Sequence, residues 1–233
     1  MNLNSPGLRS IFFSIVIILF LSSCMDENNN VVTEPVQVAF VSVYHAAPDA
    51  PEFDIVVDDR TINTNPFDYA SYSGYLNFVT GSRNIKFTAV NASSALLDTT
   101  FSFSEGKAYS LFAVDRLSKL DALLVVDSAA VPSAGKAMVR FVHLSPDAPA
   151  LDITLSGIET PLFSNKVFKQ ATSFQEIDAR NYSIALKNAG GSDAFLSADD
   201  INIVAGRYYT IITRGFATPP AGNANVLSIQ VID

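Results

Sequence analysis

His45 and His143 are the only histidines of the chain, and each opens the same phrase. Residues 43–55 read VYHAAPDAPEFDI and residues 141–153 read FVHLSPDAPALDI. An imidazole followed four and nine residues later by a carboxylate could hold a metal ion or move protons. The groups concerned are His45, Asp49 and Asp54 in the first phrase and His143, Asp147 and Asp152 in the second. Zinc needs at least three protein ligands, and each phrase offers one histidine and no thiol. Calcium could use Asp49, Asp54 and Asp58, but Ser156 stands where the second copy would need Asp58. The simpler expectation is structural. Two prolines fix a rigid corner, the aspartate accepts backbone N–H groups inside it, and the histidine locks it by bonding to backbone. No metal and no cofactor is expected.

The phrases belong to a longer duplication. Arg83-Asn84 aligns with Arg180-Asn181, Asn91 with Asn188, Gly106-Lys107-Ala108-Tyr109 with Gly206-Arg207-Tyr208-Tyr209, and Val126-Asp127 with Ile232-Asp233. Self-similarity on this scale means two copies of one domain. They are expected at 36–127 and 137–233, joined by a small-residue, breaker-rich linker at 128–136. Residues 85–89, 101–104 and 227–231 alternate apolar and polar, as half-buried strands do. Val36–Tyr44 and Ala137–Val142 are apolar on both faces and read as fully buried strands. Residues 161–175 have mixed spacing and could hold one short helix or a turn. Seven or eight strands per copy predict an all-β chain of two tandem immunoglobulin-like antiparallel β-sandwich domains. Tyr109 and Tyr209, each after a turn glycine, are either tyrosine corners or plain core aromatics.

His-x-x-Pro-Asp-Ala-Pro-x-x-Asp-Ile, present twice, resembles the signature of the domain of unknown function 4397. The resemblance extends over nearly all of residues 38–233 and includes Tyr72-Ser73-Gly74-Tyr75, where the second copy has Phe168-Lys169-Gln170-Ala171. It implies a secreted or surface bacterial protein and brings no activity with it.

Cys24 is the only cysteine, and it ends a segment of one positive charge, Arg9, an apolar run at 11–20, and Leu21-Ser22-Ser23. The apolar run is too short to span a membrane and fits a signal peptide over 1–23. Leu-Ser-Ser-Cys resembles the lipobox of bacterial lipoproteins, which implies cleavage before Cys24 and diacylation of its thiol with palmitate-like chains. Two chains suffice for stable anchoring. Residues 24–35 would then be a flexible tether to the cell envelope, with the outer membrane expected and the face it displays undecided. The acidic pair Asp26-Glu27 resembles surface-export tags.

The chain carries 23 acidic against 15 basic residues. Binding to nucleic acid rests on Lys and Arg neutralising phosphates, so nucleic acid is not an expected partner. No G-x-S-x-G elbow, H-E-x-x-H helix or glycine-rich phosphate loop occurs, and no catalytic residue is assigned. The expected role is a lipid-anchored binding or display module for a protein or a glycan. Tyr69, Tyr72 and Tyr75 are the residues expected to touch the ligand. An envelope hydrolase working through acidic residues and a purely structural envelope component are the alternatives.

Overall fold

A computed structural model describes residues 35–233. The expected signal peptide over 1–23, the expected lipidation of Cys24 and the expected tether as far as residue 34 therefore lie outside the described residues.

The first copy has β1 (Val38–His45), β2 (Phe53–Val57), β3 (Arg60–Thr61), β4 (Tyr72–Val79), β5 (Gly81–Ala89), β6 (Ala95–Phe103), β7 (Ala108–Val114) and β8 (Asp121–Val126). The second has β9 (Lys136–His143), β10 (Leu151–Leu155), β11 (Phe163–Lys166), β12 (Gln175–Asp178), β13 (Asn181–Asn188), β14 (Ala194–Asn202), β15 (Tyr208–Arg214) and β16 (Ser228–Ile232). Each copy folds into two four-stranded sheets. The orders are β4-β1-β7-β8 and β3-β2-β5-β6 in the first copy, β12-β9-β15-β16 and β11-β10-β13-β14 in the second. The all-β sandwich expected from the sequence is thus present, and the two copies share one topology. All ladders are antiparallel except β1 with β7 and β9 with β15. Residues 161–175, ambiguous in sequence, form β11 and a turn at Phe168-Lys169.

Alternation explains each strand's burial. Tyr182, Ile184 and Leu186 on β13 point into the second core, with more exposed residues between them. The first core gathers Val41, Val43, Phe53, Ile55, Phe87 and Leu111, and the second Val139, Phe141, Leu151, Ile153 and Ile211. A third apolar cluster contains Tyr44, Phe112, Val142, Leu144 and Ile212, from both copies. It forms where the sheet β4-β1-β7-β8 turns its outer face to that of β12-β9-β15-β16. Central strands β1 and β9 are covered on both sides, by their own core and by the other copy. That is why both read as mostly apolar runs, broken by Ser42 in β1 and by Arg140 in β9.

Turn chemistry is local. Asp58 and Asp59 both have positive φ, +46° and +63°, and form a two-residue hairpin turn between Val57 and Arg60. Tyr109 and Tyr209 are corners in both copies. Each hydroxyl accepts the backbone N–H of the residue five earlier, from Ser104 at 3.1 Å and from Val204 at 3.0 Å. Tyr109→Phe is expected to lower unfolding stability by about 1 kcal/mol, the net value of one such bond. Urea unfolding measures it, and an unchanged midpoint would remove the corner's role.

Candidate functional site

The repeated phrase builds the same corner twice. His45 leaves β1 fully buried, and its Nε2–H donates to the Pro51 carbonyl at 3.1 Å. His143 does the same with Pro149 at 3.1 Å. A carbonyl can only accept, so Nε2 carries the proton in both rings. His45 stacks on Phe53, with ring centres 4.2 Å apart. Burial pushes its pKa down to about 4, against the Pro51 bond, which acts in the opposite direction. Burial lowers that of His143 as well. The aspartates are engaged by protein groups. Asp49 accepts the Leu117 N–H at 2.7 Å, and Asp147 accepts those of Ala217 and Thr218 at 2.7 and 3.0 Å. Asp54 accepts the Asn63 amide, and Asp152 accepts the N–H groups of Asn165 and Gly190. Asp58 is paired with Arg83 at 2.9 Å. Among the described residues, no group of three or more His, Cys, Asp or Glu side chains converges as metal ligands would.

The chemistry gathers elsewhere, between the copies. The parallel pairs set the levels of the contact. Tyr44 lies beside Phe112 and Val142 beside Ile212, and these close one end. Two residues back along the strands, Ser42 lies beside Ser110 and Arg140 beside Thr210. This level is polar. Beyond it the contact opens into a cleft of about 490 Å³.

Arg140 is the centre of the floor. It is only 2% exposed, and its partner Asp127 has a side chain 6% exposed. The Arg140 Nη1 donates to Asp127 Oδ1, Nη2 to Ser110 Oγ at 2.8 Å, and Nε to Thr210 Oγ1 at 2.9 Å. Phe174 lies against the guanidinium, 4.7 Å from ring centre to Cζ. The other Asp127 oxygen accepts from the Tyr75 hydroxyl at 2.6 Å and the Ser110 hydroxyl at 2.8 Å. Burial, and then the Asp127 carboxylate beside it, raises the Tyr75 pKa, so the phenol stays a donor. Asp127 comes from the first copy and Arg140 from the second, so the site exists only where the copies meet. Tyr72 and Tyr208 also line the cleft, and Arg207 pairs with Asp233 at its edge at 2.7 Å.

Of the three tyrosines chosen from sequence, the structure brings Tyr72 and Tyr75 into this cleft. Tyr69 is elsewhere. It packs edge-on against His45 at 5.9 Å, with the Arg214 guanidinium over its ring at 5.1 Å. Sequence reasoning missed Arg140, Asp127, Phe174 and Tyr208. One signal was available: Arg140 interrupts the apolar run 137–142, at the position where the first copy has Ser42. A charge in a strand otherwise buried on both faces must have a partner.

Residues 39–154 match the model of a family described as "Domain of unknown function (DUF4397)". The match takes in the whole first sandwich and the second repeat as far as β10, and residues 155–233 lie outside it. No curated protein matches the sequence. Similar solved structures include the Bacillus anthracis TIE protein, at 12% identity, covering 76% of this chain and 34% of that one, with a TM-score of 0.26. This chain thus spans about a third of that structure's length. A streptococcal virulence factor described as binding alpha-glucan has 11% identity, 75% and 92% coverage, and a TM-score of 0.24. The module CBMbc (family CBM26) of Eubacterium rectale Amy13K, solved with maltoheptaose, has 9% identity, 83% and 96% coverage, and a TM-score of 0.24. At these TM-scores nothing about this chain follows from them.

Proposed function

We propose that this chain, which resembles the DUF4397 family over residues 39–154, is a non-enzymatic binding module of the cell envelope. Its ligand seats in the cleft between the two sandwiches, and a lipid on Cys24 holds it at a membrane, with the outer membrane as its expected site. The observation that carries the binding reading is the cleft itself. Aromatic side chains surround a floor of preorganised donors and acceptors, and its volume lies within the ~300–1,000 Å³ of small-ligand sites. Recognition is favoured over catalysis because Asp127, the acid in the floor, is held by Arg140, Tyr75 and Ser110. A carboxylate bonded on both oxygens is held in place for contact.

Thermal unfolding of the full chain in detergent, with a panel of defined oligosaccharides and peptides, tests this. A ligand at a hundred times its Kd adds about 2.7 kcal/mol to stability. At least one class should raise the midpoint, and Tyr75→Ala should abolish the rise. A panel without any shift would overturn the binding reading. The anchoring reading has its own test. Cys24→Ser is expected to move the protein from the membrane to the soluble fraction, and an unchanged membrane fraction would contradict it.

A further inference from the structure

We infer that the cleft takes a neutral sugar: a short, uncharged glycan that packs against Tyr75 and Tyr208 and places two hydroxyls on Arg140 and Asp127. The inference rests on the reading of the cleft as the binding site and names the ligand class.

Charge comes first. Four ionic side chains border the cleft, and they cancel as two pairs, Arg140 with Asp127 and Arg207 with Asp233. An anion drawn to Arg140 meets the carboxylate already bonded to it, and a cation drawn to Asp127 meets the guanidinium. Either must break a pair that is almost wholly buried and leave one charge without its partner. A neutral molecule need break nothing.

Hydrogen-bonding capacity comes second. A guanidinium has five N–H donors. Those of Arg140 reach Asp127, Ser110 and Thr210, which leaves one on each terminal nitrogen. These donors lie next to the lone pairs of Asp127. A donor beside an acceptor matches a hydroxyl, which is both at once, and a pair of adjacent hydroxyls matches the ion pair best.

Apolar surface comes third. Tyr75 and Tyr208 are 49% and 39% exposed, large fractions for aromatic rings beside a buried floor. One comes from each copy. A sugar ring has an apolar C–H face that packs on such rings, with its hydroxyls at the edge. The polar-floored, aromatic-sided arrangement fits that amphipathic shape.

Titration calorimetry of the full chain decides the matter. The probes are neutral tetrasaccharides of glucose, mannose, xylose and N-acetylglucosamine, a cationic glucosamine tetramer, an anionic galacturonate tetramer, and neutral tetrapeptides. At least one neutral sugar should bind at least tenfold more tightly than both charged ones. Tyr208→Ala should weaken it at least fivefold, and Ala129→Phe, which adds bulk at an exposed lining position, should block it, with both variants still unfolding in one cooperative transition. Equal or tighter binding of a charged sugar would overturn the inference. If only a tetrapeptide binds, with the same sensitivity to both variants, the sugar assignment falls and the binding module stands. If nothing binds, both fall.

Discussion

Asp127→Ala is expected to destabilise the protein by about 3–5 kcal/mol, the usual consequence of stripping a buried charge of its partner. Arg140 would keep its guanidinium at 2% exposure with only two hydroxyls and the Phe174 ring around it. Water could reach it only through the cleft. The reverse change, Arg140→Met, leaves Asp127 with the Tyr75 and Ser110 hydroxyls and should cost a similar amount. The double change Arg140→Met with Asp127→Leu tells more. Replacing a buried ion pair by apolar residues of similar volume is often neutral or stabilising. The double variant should therefore recover most of the stability lost by either single change, and still bind no ligand. Urea unfolding measures the first part and calorimetry the second. A loss under 1 kcal/mol in both single variants would show that the pair is not desolvated.

Acidification gives the second large effect. His45 titrates near 6.5 when unfolded and at about 4 when folded, because burial disfavours the imidazolium. Between those values the unfolded chain binds the extra proton, so stability rises with pH across this window. The full contribution is present above about pH 6.5 and is lost progressively down to about pH 4. At 1.36 kcal/mol per pH unit the loss from His45 is about 3 kcal/mol, and His143 adds to it in the same direction. Asp58 and Asp121 have depressed pKa values from their partners Arg83 and Lys169. Their contribution begins to be lost from about pH 5 downward, at the acid end of the histidine window, so the upper part of that window reports the histidines alone. Urea midpoints of the wild type should fall steeply from pH 6.5 to 4. His45→Gln should be less stable at pH 7 and flatter across that window. A parallel slope in the variant would show that His45 ionises as freely in the folded protein as outside it.

The sequence was informative where its two halves agree. The His-x-x-Pro-Asp-Ala-Pro phrase repeats because each sandwich needs the same corner after its first strand, and alternation at 85–89 and 101–104 marks strands with one wet face. The apolar runs in β1 and β9 even carried the contact between copies, since one sandwich alone would leave one face of each strand in water. The cleft was legible only in part, and for a physical reason. Its aromatic side includes Tyr72 and Tyr75, which were singled out as aromatic contact residues, but apart from Asp127, which aligns with Asp233, much of its lining comes from positions where the copies differ. Ser42 faces Arg140 in the alignment, Ser110 faces Thr210, and Ala108 faces Tyr208. A search for repeated residues finds what holds each sandwich together. It passes over what the second copy acquired alone, and no spacing in the chain brings Asp127 to Arg140 before both sheets have formed. Tyr69 lies apart from this cleft. An aromatic in a loop can face solvent or pack on the interior, and here a buried histidine and an arginine take its ring.

Hydroxyl-radical footprinting of the full chain, with and without the neutral tetrasaccharides, tests the shared cleft most directly. Tyr75 and Tyr208 are exposed and belong to different copies, and Phe40 and Phe195, at 41% and 46% exposure and not among the residues lining the cleft, serve as internal controls. Oxidation of Tyr75 and Tyr208 should fall together as one sugar saturates, with Phe40 and Phe195 unchanged. Protection of a tyrosine in one copy alone, or of none, would contradict a site built by both.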